Sequence, residues 1–574
     1  MSTKKCFVVL EVSQKQSYIF ATNRLSENVG ASIIIRNMTK EAWKDALASF
    51  EDAKNKGKYP KELTLPERYI SNSEQYCEDV LFNDGGGKST FHFDSEEEAD
   101  NFIKITSLHL LRTYPGAEPY YAKLVYSDEG KIADMPELLD KLYKKLNEQK
   151  GKRKESFHFI GLGLSKKCPS TSLPVNIIER KLGHSSGLVA VEKKKSSQGD
   201  ERYNISTYVK LEAAERQNKE FQKMIFENQK DNLGSSYEEL SNIKFPLRFE
   251  QLGCSKGEKN MVAVICIDGN KMGNRIRKLS DNFEKLSLSN YRNKTYRDVI
   301  RYFSDCIEEV YTKAQQEVIM KIYKQRERLE KVLDYSEIEL DMVPIRPLIL
   351  AGDDVCFVTD ARIGLDAARM MLESIERISK EKFREIDNMY AKYFDGVFTE
   401  EGLTASAGIV FCGQKYPFSK AHKLAESLVH NAKGKVPGEK DVSMLDFHVV
   451  MGEAESDTKR EREKQQTDRS LRGAIKPYCI HADISSVTTF SEFETAYWKL
   501  NDLIQGNGKE DKKVGRSKIK ELAYYIQQGN DIVRNFIHCS KDLSSIKEIR
   551  ESYAIYLDAI EMLDLYYTIE EREN

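Results

Sequence analysis

The sequence predicts an α+β fold, built from two copies of one strand–helix–hairpin–helix–strand unit and closed by a helical C-terminal region. Three observations predict it. First, the apolar, β-branched run MVAVICID ends in Asp268 and breaks at Gly269. Second, LILAGDDVCFV (Leu348–Val358) reads as two strands joined through Ala351, Gly352, Asp353 and Asp354, a hairpin with carboxylates at its tip. Third, the same order of elements occurs once before, around Asn83-Asp84-Gly85-Gly86-Gly87-Lys88.

Taken in order, Cys6–Val12 is a buried-strand signal, with Ser13 as a plausible N-cap for a helical segment carrying Ile19 and Phe20. Val80–Phe82 leads into the glycine hairpin, and Ser89–Phe93 alternates apolar and polar residues. A helix over Ser95–Arg112 starts with Glu96, Glu97 and Glu98, favourable at the positive helix end, and a turn and a strand follow. Between Asp128 and Gly253 the pattern weakens. Pro136–Lys150 reads as a charged amphipathic helix, Ser156–Leu164 as a strand, Glu192–Asp200 as solvated loop and Ala213–Asn228 as helix. Tyr296–Leu333 is helical, with an apolar stripe at Val299, Phe303, Ile307 and Val310. Gly364–Asn388 and Lys420–Lys433 read as helices flanking a strand over Leu403–Cys412. Glu453–Arg469 alternates charge without an apolar face, as a linker or a solvent-exposed helix does. From Phe490 onward three amphipathic segments suggest a small bundle, with Tyr553, Tyr556, Tyr566 and Tyr567 in its core.

Bulk properties narrow the function. At 574 residues the chain is long enough for three or four domains, each with its own core. Lys plus Arg is 89 against Asp plus Glu 91, so no overall basic field draws nucleic acid to the whole surface. The ten cysteines include no CxxC pair, against a zinc ribbon or a disulfide framework, and no tightly bound structural zinc is expected. Cys266, Cys356 and Cys412 sit inside apolar strands and read as small buried hydrophobes. No apolar run is long enough to span a membrane and the N-terminus lacks a signal-peptide core, so a cytoplasmic protein is expected.

The chemistry follows from three carboxylates at one sheet edge. Two like charges about 4 Å apart repel by roughly 4 kcal/mol at an effective dielectric near 20. Such a cluster raises its own pKa values or recruits cations. Hard oxygen ligands suit Mg²⁺ or Mn²⁺, and a carboxylate set bridging two such ions is the arrangement polymerases use for in-line phosphoryl transfer. The expected metal ligands are Asp268, Asp353 and Asp354, with Asp353 and Asp354 catalytic. Gly-Asp-Asp is also ordinary turn chemistry; pairing with the strand-terminal Asp268 favours the functional reading.

ICIDGNKMGNRIRKL, LAGDDVCFV, TASAGIVFCGQKYPFSKAHKLAESLVHNAKGK and VSMLDFHVV together resemble the second palm domain of the large polymerase-like subunit of type III CRISPR effectors. The order of elements is also that of GGDEF-type nucleotide cyclases. The N-terminal stretch resembles the first palm of the same subunit but lacks the acids, with Gly87 and Lys88 standing where the second copy has Asp353 and Asp354. The family usually shows Gly-Gly-Asp-Asp and Asp-Gly-Asp; here Ala351 and Asn270 replace one residue of each, and Asn270 removes a charge but keeps an oxygen. The resemblance implies two ferredoxin-like palm domains of the nucleotide cyclase/polymerase type plus a C-terminal helical bundle. The expected division is a first, degenerate palm at 1–125, an intervening α/β insert without zinc cysteines at 126–255, a second palm at 256–452, and a linker with helical domain at 453–574.

It further implies an HD-nuclease-lacking member, since no His-Asp dipeptide occurs in the sequence. The implied activity is a nucleotidyltransferase or cyclase making cyclic oligoadenylate-type signals from ATP in antiviral defence, with two Mg²⁺ or Mn²⁺ ions. Candidate nucleotide-binding residues are Gly85, Gly86, Gly87, Gly269, Gly352 and Lys433. The glycine loop is equally a turn with no ligand, and Lys433 equally a lysine facing a helix dipole. Implied partners are ATP, guide and target RNA, and other CRISPR effector subunits through the C-terminal helical domain, with no membrane. The alternatives are a stand-alone dinucleotide cyclase, a homodimer in that case, or a catalytically silent nucleotide-sensing subunit.

Overall fold

The computed structural model describes residues 4–127, 135–152, 166–175, 194–196, 199–201, 203–215, 243–252, 260–288, 295–333, 342–386, 388–398, 402–436, 441–450, 475–481, 487–506, 513–547 and 553–571. The strand expected at Ser156–Leu164 and the linker at Glu453–Arg469 lie outside them. The chain forms two compact units: Met1–Ser241 with Ile276–Glu309 and Asp387–Asp395, and Asn242–Arg275 with Val310–Ile386 and Gly396–Asn574.

The first unit contains a four-stranded antiparallel sheet of order β2-β3-β1-β4, from β1 (Lys4–Ser13), β2 (Leu81–Asn83), β3 (Lys88–Phe93) and β4 (Glu118–Ser127). Residues 6–10 of β1 are wholly buried, as a central strand covered on both faces requires. Ser13 belongs to β1 rather than capping the next helix. That helix, α1 (Lys15–Ile19), starts from Gln14 in a left-handed conformation with no side-chain cap. The long helix α2 (Leu25–Lys40) follows, while α3 (Glu96–Thr113) begins with Ser95 accepting a hydrogen bond from the Glu98 N–H. Helix α4 (Met135–Gly151) packs on β1 and β4. Within the run read from sequence as loop, β5 (Lys194–Ser196) and β6 (Gly199–Glu201) pair as a small hairpin.

The second unit contains a six-stranded mixed sheet of order β12-β11-β10-β7-β9-β8. Its strands are β7 (Met261–Gly269), β8 (Ile345–Ala351), β9 (Asp354–Asp360), β10 (Ala405–Gly413), β11 (Met444–Val449) and β12 (Tyr478–Cys479). Numbered within each copy, β10-β7-β9-β8 has the order 4-1-3-2 and the first sheet the reverse, 2-3-1-4. Both are the ferredoxin-like pattern, so the repeat seen in the sequence is a repeat of topology. Between β7 and β8 run α5 (Met272–Leu288) and α6 (Tyr296–Lys324); α7 (Ala361–Arg384) and α8 (Phe418–Gly434) follow β9 and β10.

Two glycines let α7 and α8 approach opposite faces of this sheet. A Cβ at Gly364 would stand 2.3 Å from the Ala263 Cβ, and one at Gly408 would stand 2.1 Å from the Ala425 carbonyl oxygen. Residues 262–267 of β7 are buried. Burial of Val262, Val264, Ile265 and Ile267 contributes roughly 6–12 kcal/mol, enough to hold the strand against a few kcal/mol of carboxylate repulsion at its end. The C-terminal helices α9 (Phe490–Gln505), α10 (Arg516–Gln528), α11 (Asn530–Cys539) and α12 (Ile555–Glu561) pack through an aromatic core in which Tyr553, Tyr556 and Tyr566 are buried. The fold class is α+β: two ferredoxin-like palm domains with a helical bundle.

Candidate functional site

The site forms where β7 ends and the β8–β9 hairpin turns. Asp268, the penultimate residue of β7, is directly opposite Asp354, the first residue of β9. In an antiparallel pair opposed residues point to the same sheet face, so the two carboxylates share one surface. Ala351 closes the hairpin against Asp354, leaving Gly352 and Asp353 as the two-residue turn. Gly352 has φ 67°, the left-handed value such a turn needs at its first position. Ala351 continues β8, where a Cβ is at home. Replacing a glycine there with alanine therefore keeps the turn.

Asp354 is exposed and Asp268 half-exposed. Asp353 is the perturbed member. Burial, and then the charges of Asp268 and Asp354, push its carboxyl up to about 7, against a backbone N–H and the Lys433 ammonium pulling the other way. Lys433, near the C-terminus of α8, donates to Asp268 Oδ2 at 2.6 Å and to the Gly269 carbonyl at 2.8 Å. Its ammonium thus supplies the counter-charge directly to a carboxylate, rather than serving only the helix dipole.

Sequence reasoning missed Tyr311, on α6. It is fully buried, and its hydroxyl has no hydrogen-bond partner. A Cβ at Gly269 would stand 2.9 Å from that hydroxyl and 3.0 Å from the Asp353 Cβ. Burial, with Asp353 and Asp268 adding negative charge, holds the phenol well above the usual tyrosine range, so it is a donor. Only a glycine fits between the tyrosine and the aspartate. The signal available was a tyrosine beside the apolar stripe of α6, whose polar tip needs a partner when buried.

Asn270 keeps an oxygen after Asp-Gly, but that oxygen is engaged within the fold. It is buried, donates to Thr404 Oγ1 at 3.2 Å and the Val442 carbonyl at 3.0 Å, and accepts from Ser406 Oγ at 2.9 Å. Arg275 pairs with Asp441 at 2.8 Å. Together they pin the turn leaving β7. The fold therefore gathers Asp268, Gly269, Gly352, Asp353, Asp354 and Lys433 into one place in the second unit.

Gly85, Gly86 and Gly87 lie in the first unit, at the β2–β3 turn. Gly86 and Gly87 take φ of 65° and 68°, and a Cβ on Gly87 would meet Lys15 Nζ at 2.7 Å. Where the second sheet opposes Asp268 and Asp354, the first opposes Glu11 and Lys88. Burial raises the Glu11 pKa, but hydrogen bonding from Lys150 and the charges of Lys88 and Lys15 outweigh it and hold the carboxyl below its usual range. That position is already neutralised.

The residues of the second site fit a hard divalent cation. Three carboxylates converge, one of them resisting ionisation, and the buried Tyr311 hydroxyl beside them has no partner. Among the described residues no helix is long and apolar enough to cross a membrane.

Residues 261–442 match the family model for the second palm domain of Cas10/Cmr2. No curated protein matches the sequence. Solved structures similar to it include a Csm1–Csm4 cassette in complex with cA4, 12% identical, covering 98% of this chain and 70% of that one, TM-score 0.44. The apo Csm1–Csm4 cassette is 12% identical with the same coverages and TM-score 0.46. Csm1 of T. onnurineus is 12% identical, covering 98% and 69%, TM-score 0.43. Likeness at that distance does not transfer chemistry. What the comparisons show is a likeness over residues 261–442, the stretch that holds the strand ending in Asp268 and the Asp353–Asp354 hairpin, to the second palm domain of Cas10/Cmr2.

Proposed function

We propose that this protein is a metal-dependent nucleotidyltransferase that joins ATP molecules into a cyclic or linear oligoadenylate. In the reaction the 3′-oxygen of one nucleotide bonds to the α-phosphorus of the next and the α–β phosphoanhydride breaks, releasing pyrophosphate. The observation that carries the proposal is the strand register that opposes Asp268 to Asp354 with Asp353 at the turn between β8 and β9.

Asp268, Asp353 and Asp354 would hold two Mg²⁺ or Mn²⁺ ions. Bound there, the ions would favour ionisation of the attacking hydroxyl and neutralise charge on the leaving pyrophosphate. Asp353 gives up its proton to become a ligand, so ligation is favoured above about pH 7. Lys433, held 2.6 Å from Asp268, is placed to exchange that partner for a phosphate oxygen. Tyr311 would donate its hydrogen bond to an oxygen entering beside Asp353. Gly269 and Gly352 keep the floor of the site free of side chains. Gly85, Gly86 and Gly87 would present backbone N–H groups to a second nucleotide, in a first palm without the acids for turnover.

The division proposed for the chain is palm 1–125, insert 126–255, palm 256–452 and helical region 453–574. Partners proposed from the family are guide and target RNA and other CRISPR effector subunits docking on the C-terminal helices, in the cytoplasm. The test is direct. Purified chain with ATP and Mg²⁺ or Mn²⁺, with and without RNA, should release pyrophosphate and yield oligoadenylates identifiable by mass. Asp353→Ala with Asp354→Ala should abolish the products. Wild-type turnover surviving in that double variant refutes the assignment.

A further inference from the structure

The register that opposes Asp268 to Asp354 also opposes Cys266 to Cys356, two residues along each strand and therefore on the same sheet face. His422, from α8 covering that face, completes a trio whose ligand atoms all lie within 4.8 Å of one another. All three residues are buried, at 5%, 0% and 3% exposure. We propose that Cys266, Cys356 and His422 bind one Zn²⁺ ion directly beneath the carboxylate site.

Two thiolates and an imidazole are the donors that suit a borderline-soft ion such as Zn²⁺. Zn–S bonds of about 2.3 Å and Zn–N bonds of about 2.0–2.1 Å in a tetrahedron put ligand atoms roughly 3.4–3.8 Å apart. From a spread within 4.8 Å the trio reaches that spacing by closing at most about 1 Å, a side-chain adjustment rather than a change of fold. The charges balance: the ion displaces one proton from each thiol to solvent, and the two thiolates cancel its charge. What is buried is then a neutral unit rather than an isolated ion. Glu426, one turn on from His422, has Oε2 3.5 Å from His422 Nδ1, where a carboxylate can orient a ligating imidazole. Gly408, paired with Cys266 on its other side, admits α8 close enough for His422 to reach the sheet. Three protein donors leave one position for water. The ion would tie together β7, β9 and α8, which carry Asp268, Asp354 and Lys433. It would set the spacing of the carboxylates from below.

Elemental analysis of the full chain purified without added metal tests this, with Co²⁺ loading of the zinc-stripped chain as an independent measurement. The expected result is about one zinc per chain, absent from Cys266→Ala and Cys356→Ala and retained in Asp353→Asn with Asp354→Asn. Co²⁺ should give near-ultraviolet thiolate charge-transfer absorption and intense tetrahedral visible bands. His422→Ala should weaken Co²⁺ binding at least about tenfold. If the cysteine variants do not fold, the wild-type Co²⁺ spectrum decides. Zinc retained in both cysteine variants, a Cys266–Cys356 disulfide found by mass, or a reduced chain without zinc or cobalt–thiolate absorption would each overturn the proposal.

Discussion

Replacing Asp353 with asparagine should make the metal-free protein more stable near pH 8 and no more stable near pH 4. The Asp353 carboxyl is pushed from the ordinary 3.8 to about 7 by burial and by Asp268 and Asp354. Between those values the folded chain holds a proton that the unfolded chain has released, so stability falls as pH rises across that window. Above it the whole penalty is present. A carboxyl held at about 7 instead of 3.8 costs about 4 kcal/mol at most once ionised. Asparagine still buries a polar amide, which offsets part of the gain and leaves about 1–3 kcal/mol. For a unit of this size each kcal/mol moves the midpoint by about 2–4 °C. Thermal unfolding in chelator at pH 4 and pH 8 is the assay. Wild type should also gain stability from Mn²⁺ or Mg²⁺ at pH 8, by mass action on the folded state, and lose that gain below pH 6. A variant no more stable than wild type at pH 8 in chelator would refute the claim that the site is strained by its own charge.

Three further outcomes are expected. Lys433→Met removes the ammonium facing Asp268, so the metal-free chain should lose about 1 kcal/mol at pH 8 while its stabilisation by Mn²⁺ grows; unchanged unfolding midpoints would show that the pair contributes nothing. Tyr311→Phe deletes a buried hydroxyl without a partner, so folding stability should hold or rise while ATP turnover falls about tenfold; equal turnover would remove Tyr311 from the site. Asn270→Ala cuts three buried side-chain hydrogen bonds and should cost about 2–4 kcal/mol in denaturant unfolding; a loss under about 0.5 kcal/mol would mean that the turn after β7 is held by other contacts.

The acids were legible because their chemistry is local. A strand ending in Asp-Gly and a Gly-Asp-Asp hairpin announce themselves in a few residues each, and the repeated element order gave the two sheets. What could not be read was anything fixed by register. Cys266 and Cys356 lie far apart in sequence, each looking like a small core hydrophobe, and only pairing of β7 with β9 sets them side by side. Asn270 follows Asp-Gly and keeps an oxygen there, but its role is set by Thr404 just before β10, Ser406 in β10 and Val442 on the approach to β11. Tyr311 was hidden because helical periodicity reports which side of a helix is buried, but not which single polar tip inside that side is left unpaired.

The two sheets provide an internal control on how much of the chemistry belongs to the fold. Their strand order is the same, and the residue that opens the third strand of each is opposed to the acid near the end of the first. In the first sheet that pair is Lys88 and Glu11, with Lys15 and Lys150 also on the glutamate, and the buried carboxyl stays ionised without outside help. In the second the pair is Asp354 and Asp268, joined by Asp353, and a single lysine meets three acids. The first arrangement has more lysines than acids as built and gives a cation nothing to correct. The second is short of positive charge by design of its register, and a divalent ion is what relieves it. Topology supplies the place in both; a lysine or an aspartate at the first residue of the third strand decides whether that place calls for a metal.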